Sequence, residues 1–346
     1  MKAALLFEPG RIEISDVQVP VAGPGQVLVN LESCGVCATD VKRFTGASKV
    51  PFLPFLLGHE PAGVVAEVGP GVASELAPGT RVAVEPVFTC GHCYGCRTGR
   101  VATEGVGMCE NYEVLGYSID GAFAEYIAAP ASAVHPLPDG LSFRDAALIE
   151  PVAACANGVL RATKLPPGTV VVVGTGFMGL VCVQLLKCLG NRVIASDLRA
   201  DRREAAQNLG ADVVLDPSAE DVTQRVKELT SGRGADGVLC AAGGKTITEQ
   251  ALAMVAKGGT VVLLASAPSG TKFEVDLNKL HYDQSVITGS VSYTSMTYEW
   301  SMELLARGAL DVETLISHVG GIDDTQRFLE MTRDLQGLKK VILFSP

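Results

Sequence analysis

Between Thr89 and Asn111 the chain reads TCGHCYGCRTGRVATEGVGMCEN, with thiols at Cys90, Cys93, Cys96 and Cys109. Four sulfurs this close can be disulfide partners, a redox pair, an iron–sulfur cradle or a zinc site. A four-thiolate shell is what structural zinc prefers, and it leaves no open position for a substrate. The proline that usually follows the last cysteine of an iron–sulfur run is absent. Nor does the loop open a helix in a βαβ unit, as a thioredoxin-like pair does. The spacing therefore predicts structural zinc on these four residues, with His92 a bystander because the sulfurs fill the shell.

Catalysis must then lie elsewhere. SCGVCATDVKRF (33–44) and LGHEPAG (57–63) supply Cys37, His59 and Glu60, and LIEPVAACANG (148–158) supplies Glu150. A thiolate, an imidazole and a carboxylate, with one position left for water or alcohol, are what a catalytic zinc needs. The same residues also fit blander readings: Cys34 and Cys37 as a redox pair, His59 as a core histidine, Glu60 as a solvated carboxylate. A third constellation is VVVVGTGFMG, where Gly174, Gly176 and Gly179 stand in G-x-G-x-x-G spacing after a strand and before a helix. Such glycines allow a tight turn, close approach of a pyrophosphate, and close packing of helix on strand. Asp197 ends the next strand, 18 residues beyond Gly179, where a carboxylate accepts bonds from ribose hydroxyls and repels a 2′-phosphate. This favours NAD over NADP, although Arg199 and Arg202 follow closely.

The elements that must position these groups divide in two. The first part of the chain is dense in short β-rich runs punctuated by Gly and Pro: 26–35, 63–71, 78–86 and 121–130. These predict a barrel-like β domain. Ser142 and Asp145 form a capping-box pattern, predicting a helix from there that carries Glu150 near its end. From Thr169 onward strands at 169–173, 192–196, 212–215, 237–241, 260–265 and 285–290 alternate with helical patterns at 202–210 and 221–229. That alternation predicts a doubly wound parallel sheet. A helical stretch at 298–310 follows, and KKVILF (339–344) is expected to rejoin the first domain. The boundaries so drawn are 1–152, 153–289 and 290–346.

At 346 residues, 47% hydrophobic and 19% charged, the chain is globular and long enough for two domains. Its 28 basic and 38 acidic residues give a net charge of −10. That balance argues against nucleic acid and anionic membrane surfaces as partners. The segment 165–186 is uncharged and long enough to span a bilayer, yet its prolines, glycines and β-branched run fit a buried strand turning into a helix. The amino terminus holds no secretory apolar core, so the ten cysteines are expected to be reduced thiols in the cytoplasm. Cys155, Cys182, Cys188 and Cys240 read as core thiols, and His135, His281 and His318 as structural or exposed.

Taken in order, CGVCATD, LGHEPAG, the cysteine cluster, ALIEP and GTGFMG resemble the zinc-dependent medium-chain dehydrogenase/reductase family. Within it the chain is similar to polyol (sorbitol-type) and secondary-alcohol dehydrogenases, over essentially its whole length. The resemblance implies an α/β protein: a GroES-like β-barrel catalytic domain and a Rossmann domain. It implies that Cys37 and His59 ligate a catalytic zinc, with Glu60 and Glu150 as its carboxylate neighbours, one of them bound directly. Asp40 matches the carboxylate that orients the histidine, and Thr39 the hydroxyl that meets the substrate alcohol and passes its proton outward. Phe177, Met178, Asp197 and Arg202 match cofactor contacts, as do Leu264, Ala265 and Ser266 and then Ser290, Val291 and Ser292. A homo-oligomer, tetramer or dimer, is implied as well.

Three departures stand out. Twelve residues, Arg97 to Met108, separate the third and fourth cluster cysteines, where the family usually has seven. A loop can absorb the difference, since closure cost grows slowly with length. The relay histidine often found five residues after the zinc cysteine is Lys42. Six residues after that cysteine, the polyol enzymes' aromatic is replaced by Arg43, and their Arg-Tyr pair is Ser292-Tyr293. The expected activity is NAD-linked interconversion of a secondary alcohol, of polyol type, and a ketone, with Arg43 and Tyr293 as substrate candidates. The alternatives are the same chemistry on a phosphorylated, amino or acidic alcohol read by Lys42 and Arg43, or a non-catalytic redox sensor.

Overall fold

The computed structural model describes residues 1–344. The chain forms two compact units. One comprises Met1–Pro151, Thr294–Gly308 and the chain from Val312 onward; the other comprises Val152–Tyr293 and Ala309–Asp311.

The first unit is built on the strand Gln26–Val36. Along one edge it pairs antiparallel with Pro61–Val68, which continues to Arg81–Val84 and Val134–Pro136. Along the other it meets Tyr126–Pro130 and, at its far end, Lys339–Leu343, as the apolar run KKVILF predicts. Val27, Val29 and Leu31 of the central strand are fully buried with Phe44, Phe123 and Phe328. Burying each such side chain contributes about 1.5–3 kcal/mol. Ile316–Gly320 extends the large sheet beyond Lys339–Leu343, and two smaller sheets, one of Arg11–Asp16, Lys2–Glu8 and Phe55–Leu56 and one of Val87–Phe88 and Glu113–Val114, belong to the same unit.

The second unit is a six-stranded parallel sheet in the order Val213–Leu215, Arg192–Ser196, Thr169–Val173, Ala235–Cys240, Val255–Leu263, Val286–Gly289. The order is that of a dinucleotide-binding sheet. Its core is Val171, Ile194, Leu215, Val238 and Val261 under the helices Val222–Leu229 and Lys245–Met254. Residues 165–186 form the strand Thr169–Val173 and most of the helix Phe177–Cys188. Among the described residues no helix is long and apolar enough to cross a membrane.

Two expectations need correction. Ser142 does cap a helix, its hydroxyl accepting the Asp145 N–H at 3.0 Å, but that helix ends at Ala146. Pro151 has no N–H to give to the residue 147 carbonyl, which disfavours it inside a helix running on from Phe143 and suits it to the first turn of a new one. A second helix, Ile149–Ala162, begins instead and holds Glu150 in its first turn. Cys155, Cys182 and Cys240 are buried, but Cys188 is exposed, because it ends its helix beyond the stretch that packs on the sheet.

Candidate metal and dinucleotide sites

Strand register brings the first cluster together. Cys34 lies opposite Pro61, so the turn after Val36 and the residues before Pro61 meet at one end of the sheet. Cys37 then leads into the helix Ala38–Phe44. The ligand atoms of Cys37, His59 and Glu60 all lie within 4.8 Å of one another, close enough to share a metal ion.

Asp40 holds this arrangement. One carboxylate oxygen accepts the Cys37 N–H at 2.9 Å; the other accepts the Gly58 N–H at 3.3 Å and lies 3.0 Å from His59 Nδ1. With Nδ1 engaged, Nε2 is the nitrogen left for a metal. Burial alone would favour neutral forms of this pair, but their mutual attraction outweighs it, lowering Asp40 and raising His59. Gly58 adopts a positive φ of +94°, and a Cβ there would stand 2.5 Å from the Phe123 ring. Only glycine lets the chain pass between ring and carboxylate.

Glu60 is buried and paired with Lys339, whose Nζ is 2.5 Å from its carboxylate and 3.3 Å from the Val36 carbonyl. A Cβ on Gly35 would sit 1.9 Å from the Glu60 carboxylate, so that glycine gives the acid its space. Glu150 stands outside the three-residue set. It keeps some accessible surface, yet burial around its carboxyl, opposed by His59, pushes it up to about 7.

Thr39 Oγ1 lies 3.4 Å from His59 Nε2 and accepts the Tyr117 O–H at 2.7 Å. Tyr117 itself lies 3.4 Å from the same nitrogen, its ring edge-on to the imidazole. Burial raises its phenol, keeping it protonated as a donor. Arg43 is half-buried, its guanidinium 3.6 Å above the Tyr117 ring, with Nη1 donating to the Thr39 carbonyl at 3.2 Å; Lys42 is exposed. Sequence reasoning missed Tyr117 and Lys339. Tyr117 follows a turn glycine and belongs to no motif. For Lys339 a signal existed, a lysine pair opening the apolar strand KKVIL.

The second cluster is local. Neighbouring sulfurs of Cys90, Cys93, Cys96 and Cys109 lie 3.5, 3.5, 3.9 and 4.0 Å apart. A tetrahedron with bonds of ~2.3 Å sets its corners roughly 3.8 Å apart, so the four thiols fit zinc without rearrangement. Backbone N–H groups of Cys90 and Glu110 point at Cys109 and Cys93 sulfurs, at 3.3 and 3.4 Å. The His92 N–H leads the groups that bring the Cys90 thiol down to about 6. His92 is exposed, its ring bonded to the Cys90 carbonyl. The lengthened segment folds outward as the helix Arg100–Glu104. Among the described residues no disulfide is formed.

In the parallel-sheet unit, Gly174 takes φ +88° and a Cβ on Gly179 would lie 1.9 Å from the Gly174 carbonyl, whereas one on Gly176 would meet nothing within 4 Å. Turn, helix packing and open approach are thus divided among the three as a dinucleotide phosphate requires. Asp197 accepts the Thr175 N–H at 2.7 Å and the Arg199 N–H at 2.9 Å, and with Gly174, Ser196 and Thr246 lines a cavity of about 390 Å³. Arg199 pairs with Asp201, while Arg203, which sequence reasoning passed over, bonds the Asp197 and Leu198 carbonyls and Asp216. Arg202 is half-buried. Phe177 and Met178 open the helix. Leu264 and Ala265 N–H groups bond the Cys240 carbonyl, with Ser266 next along the loop. Ser290 follows the last strand, exposed Val291 comes next, and the Ser292 carbonyl accepts the Asn157 side chain at 3.1 Å. Tyr293 has no accessible surface.

Comparison with known proteins identifies the family. The alcohol dehydrogenase GroES-like domain matches residues 23–139, and the zinc-binding dehydrogenase domain matches residues 177–307. Sorbitol dehydrogenase of Bacillus subtilis (strain 168) is 34% identical, covering 95% of this chain and 93% of its own. Alcohol dehydrogenase of Geobacillus stearothermophilus is 35% identical over 94% of each. A zinc-binding dehydrogenase from Sinorhizobium meliloti 1021, solved with NADP, superposes with a TM-score of 0.89 at 31% identity, covering 99% of this chain and 98% of that one. The chain belongs to the zinc-dependent medium-chain alcohol dehydrogenase family, oxidoreductases that interconvert alcohols and carbonyl compounds with a nicotinamide dinucleotide.

Proposed function

We propose that this enzyme oxidises a secondary hydroxyl of a polyol-type alcohol to a ketone, and runs the reverse reduction, with NAD in preference to NADP. The observation that carries the reading is the convergence of Cys37, His59 and Glu60 ligand atoms within 4.8 Å, with Asp40 fixing the imidazole. These three residues hold the catalytic zinc, and Glu150 is the nearby carboxylate; Cys90, Cys93, Cys96 and Cys109 hold the structural one. When bound, zinc lowers the pKa of a hydroxyl as it lowers that of water to about 7, and NAD supplies the hydride acceptor.

The chain's own groups do the rest. Asp40 keeps His59 in the tautomer that presents Nε2. Thr39 accepts the hydroxyl proton and passes its own outward to solvent, a route that does without a histidine at position 42, while Tyr117, donating to Thr39 Oγ1, holds that hydroxyl in place. Gly174, Gly176 and Gly179 cradle the dinucleotide phosphates, and Asp197 receives the ribose hydroxyls. Phe177, Met178, Arg202, Leu264–Ser266 and Ser290–Ser292 complete the cofactor contacts. Ten cysteines outside any disulfide support a cytoplasmic setting, and we take the enzyme to be a homo-oligomer, a dimer or tetramer.

The test is NADH formation by zinc-loaded enzyme on a panel of stereochemically distinct polyols, their phosphorylated and acidic derivatives, and simple secondary alcohols, with zinc counted in the same protein. Turnover with two zincs per chain is expected. Silence on the whole panel would remove the polyol reading.

A further inference from the structure

We infer that Arg43 is an oxyanion anchor, so that the alcohol oxidised here carries a phosphate or carboxylate group on the carbon chain beside its reacting hydroxyl. The inference rests on the reading of the Cys37–His59 cluster as the place where that hydroxyl is held.

Arg43 follows Thr39 by one helical turn, so both side chains leave the same face of the helix Ala38–Phe44. The guanidinium lies over the Tyr117 ring, and the Tyr117 hydroxyl touches Thr39 Oγ1 and stands 3.4 Å from His59 Nε2. One phenol ring therefore separates the arginine from the metal-ligand cluster. Stacking and the single bond from Nη1 to the Thr39 carbonyl fix the guanidinium in place.

Its remaining donors bond no other group among the described residues. Nε is buried without a hydrogen-bond partner, and among the described residues no carboxylate lies within 4.0 Å of Arg43. The acids of the cluster are committed elsewhere, Asp40 to His59 and Glu60 to Lys339. A buried Nε–H without a hydrogen-bond partner is costly to keep, and a guanidinium fixed in this place gains from an anion that pairs with its open N–H groups. A neutral polyol supplies no such partner. A phosphate or carboxylate does, and a planar fork of N–H groups matches either in bidentate geometry.

The experiment compares kcat/KM of zinc-loaded enzyme with NAD on matched alcohols: a neutral polyol, its phosphomonoester and the corresponding sugar acid. One of the charged alcohols is expected to exceed the neutral one by about 100-fold or more, and which one it is separates phosphate from carboxylate. In Arg43→Gln that ratio collapses to within a few-fold, and Arg43→Lys recovers part of it. Calorimetric binding of the preferred alcohol, tight and salt-sensitive in the wild type and lost in Arg43→Gln, gives a readout apart from turnover, with NADH binding confirming the variant's fold. Equal turnover of neutral and charged alcohols, or a preference that survives Arg43→Gln, overturns the inference and leaves the alcohol dehydrogenase reading intact. No turnover of any alcohol overturns the reading beneath it.

Discussion

The two ligand clusters of the β-rich unit use similar side chains and are built in opposite ways. Cys90, Cys93, Cys96 and Cys109 come from one loop, stand at tetrahedral spacing and are supported by backbone N–H groups. Cys37, His59 and Glu60 come from two sequence segments, and their supports come from further off: Tyr117 is 78 residues from Thr39, and Lys339 is 279 residues from Glu60. One cluster is complete in its own sulfurs, so a metal there has nothing further to bind. The other offers three ligands next to a pair of hydroxyls, so a metal there has chemistry to do. A local loop suffices to make a staple, whereas an open site has to be held from several sides.

Breaking each cluster in turn should expose that difference. Cys37→Ser removes a ligand from the open site; Lewis-acid stabilisation is worth several kcal/mol, so turnover should fall on the order of 10³-fold. NADH binding, measured by fluorescence, should stay near that of the wild type, and loss of both together would contradict the division of roles. Cys93→Ser breaks the closed site. Zinc content should drop from two to one per chain and Tm should fall by roughly 5–10 °C, with kcat per correctly folded enzyme changed much less; an unchanged Tm would show the cluster to be no staple. Asp40→Asn tests the support of the open site. It should cost about 10–100-fold in zinc affinity or activity, visible in zinc titrations followed by turnover.

His135 sharpens the comparison from the other side. It sits between two acids, Nε2 3.0 Å from Glu85 and Nδ1 2.8 Å from Glu299, so both ring nitrogens are taken and the histidine holds carboxylates instead of a metal. Burial lowers its pKa, but the two acids outweigh that and the net shift is upward from 6.5. The stability it contributes is therefore complete below pH 6.5 and is lost as pH rises through the higher folded-state value. His135→Gln should destabilise by about 1 kcal/mol in acid, discounted for exposed Glu299, and by less in alkali; urea melts at several pH values would reveal a flat difference if the pairing does not matter.

Much of this molecule was legible before folding. The β-α alternation after Thr169 gives the parallel sheet because each apolar run is buried on both faces and needs no partner to declare it. The geometry of the glycine turn and Asp197 is readable because it depends on backbone shape within one βαβ unit. The cysteine cluster is readable because its ligands share one loop. The break at Pro151 was also in plain view, and the expectation of a single helix there undervalued a missing N–H. Cys188 misled because an apolar neighbourhood in sequence says little about which turn of a helix reaches the core.

What residue types and short spacings settle alone is the chemistry on offer: a four-thiolate shell, a thiolate–imidazole–carboxylate set, a phosphate turn. Their reach ends where partners come from distant segments. Strand register, set by burial along Gln26–Val36, placed Glu60 against Lys339. The turn at Gly116 brought Tyr117 onto Thr39 and under Arg43. Those contacts arise from pairing and close packing across the fold, which no local pattern encodes, because a hydrogen bond depends on distance in space and a motif records only distance along the chain.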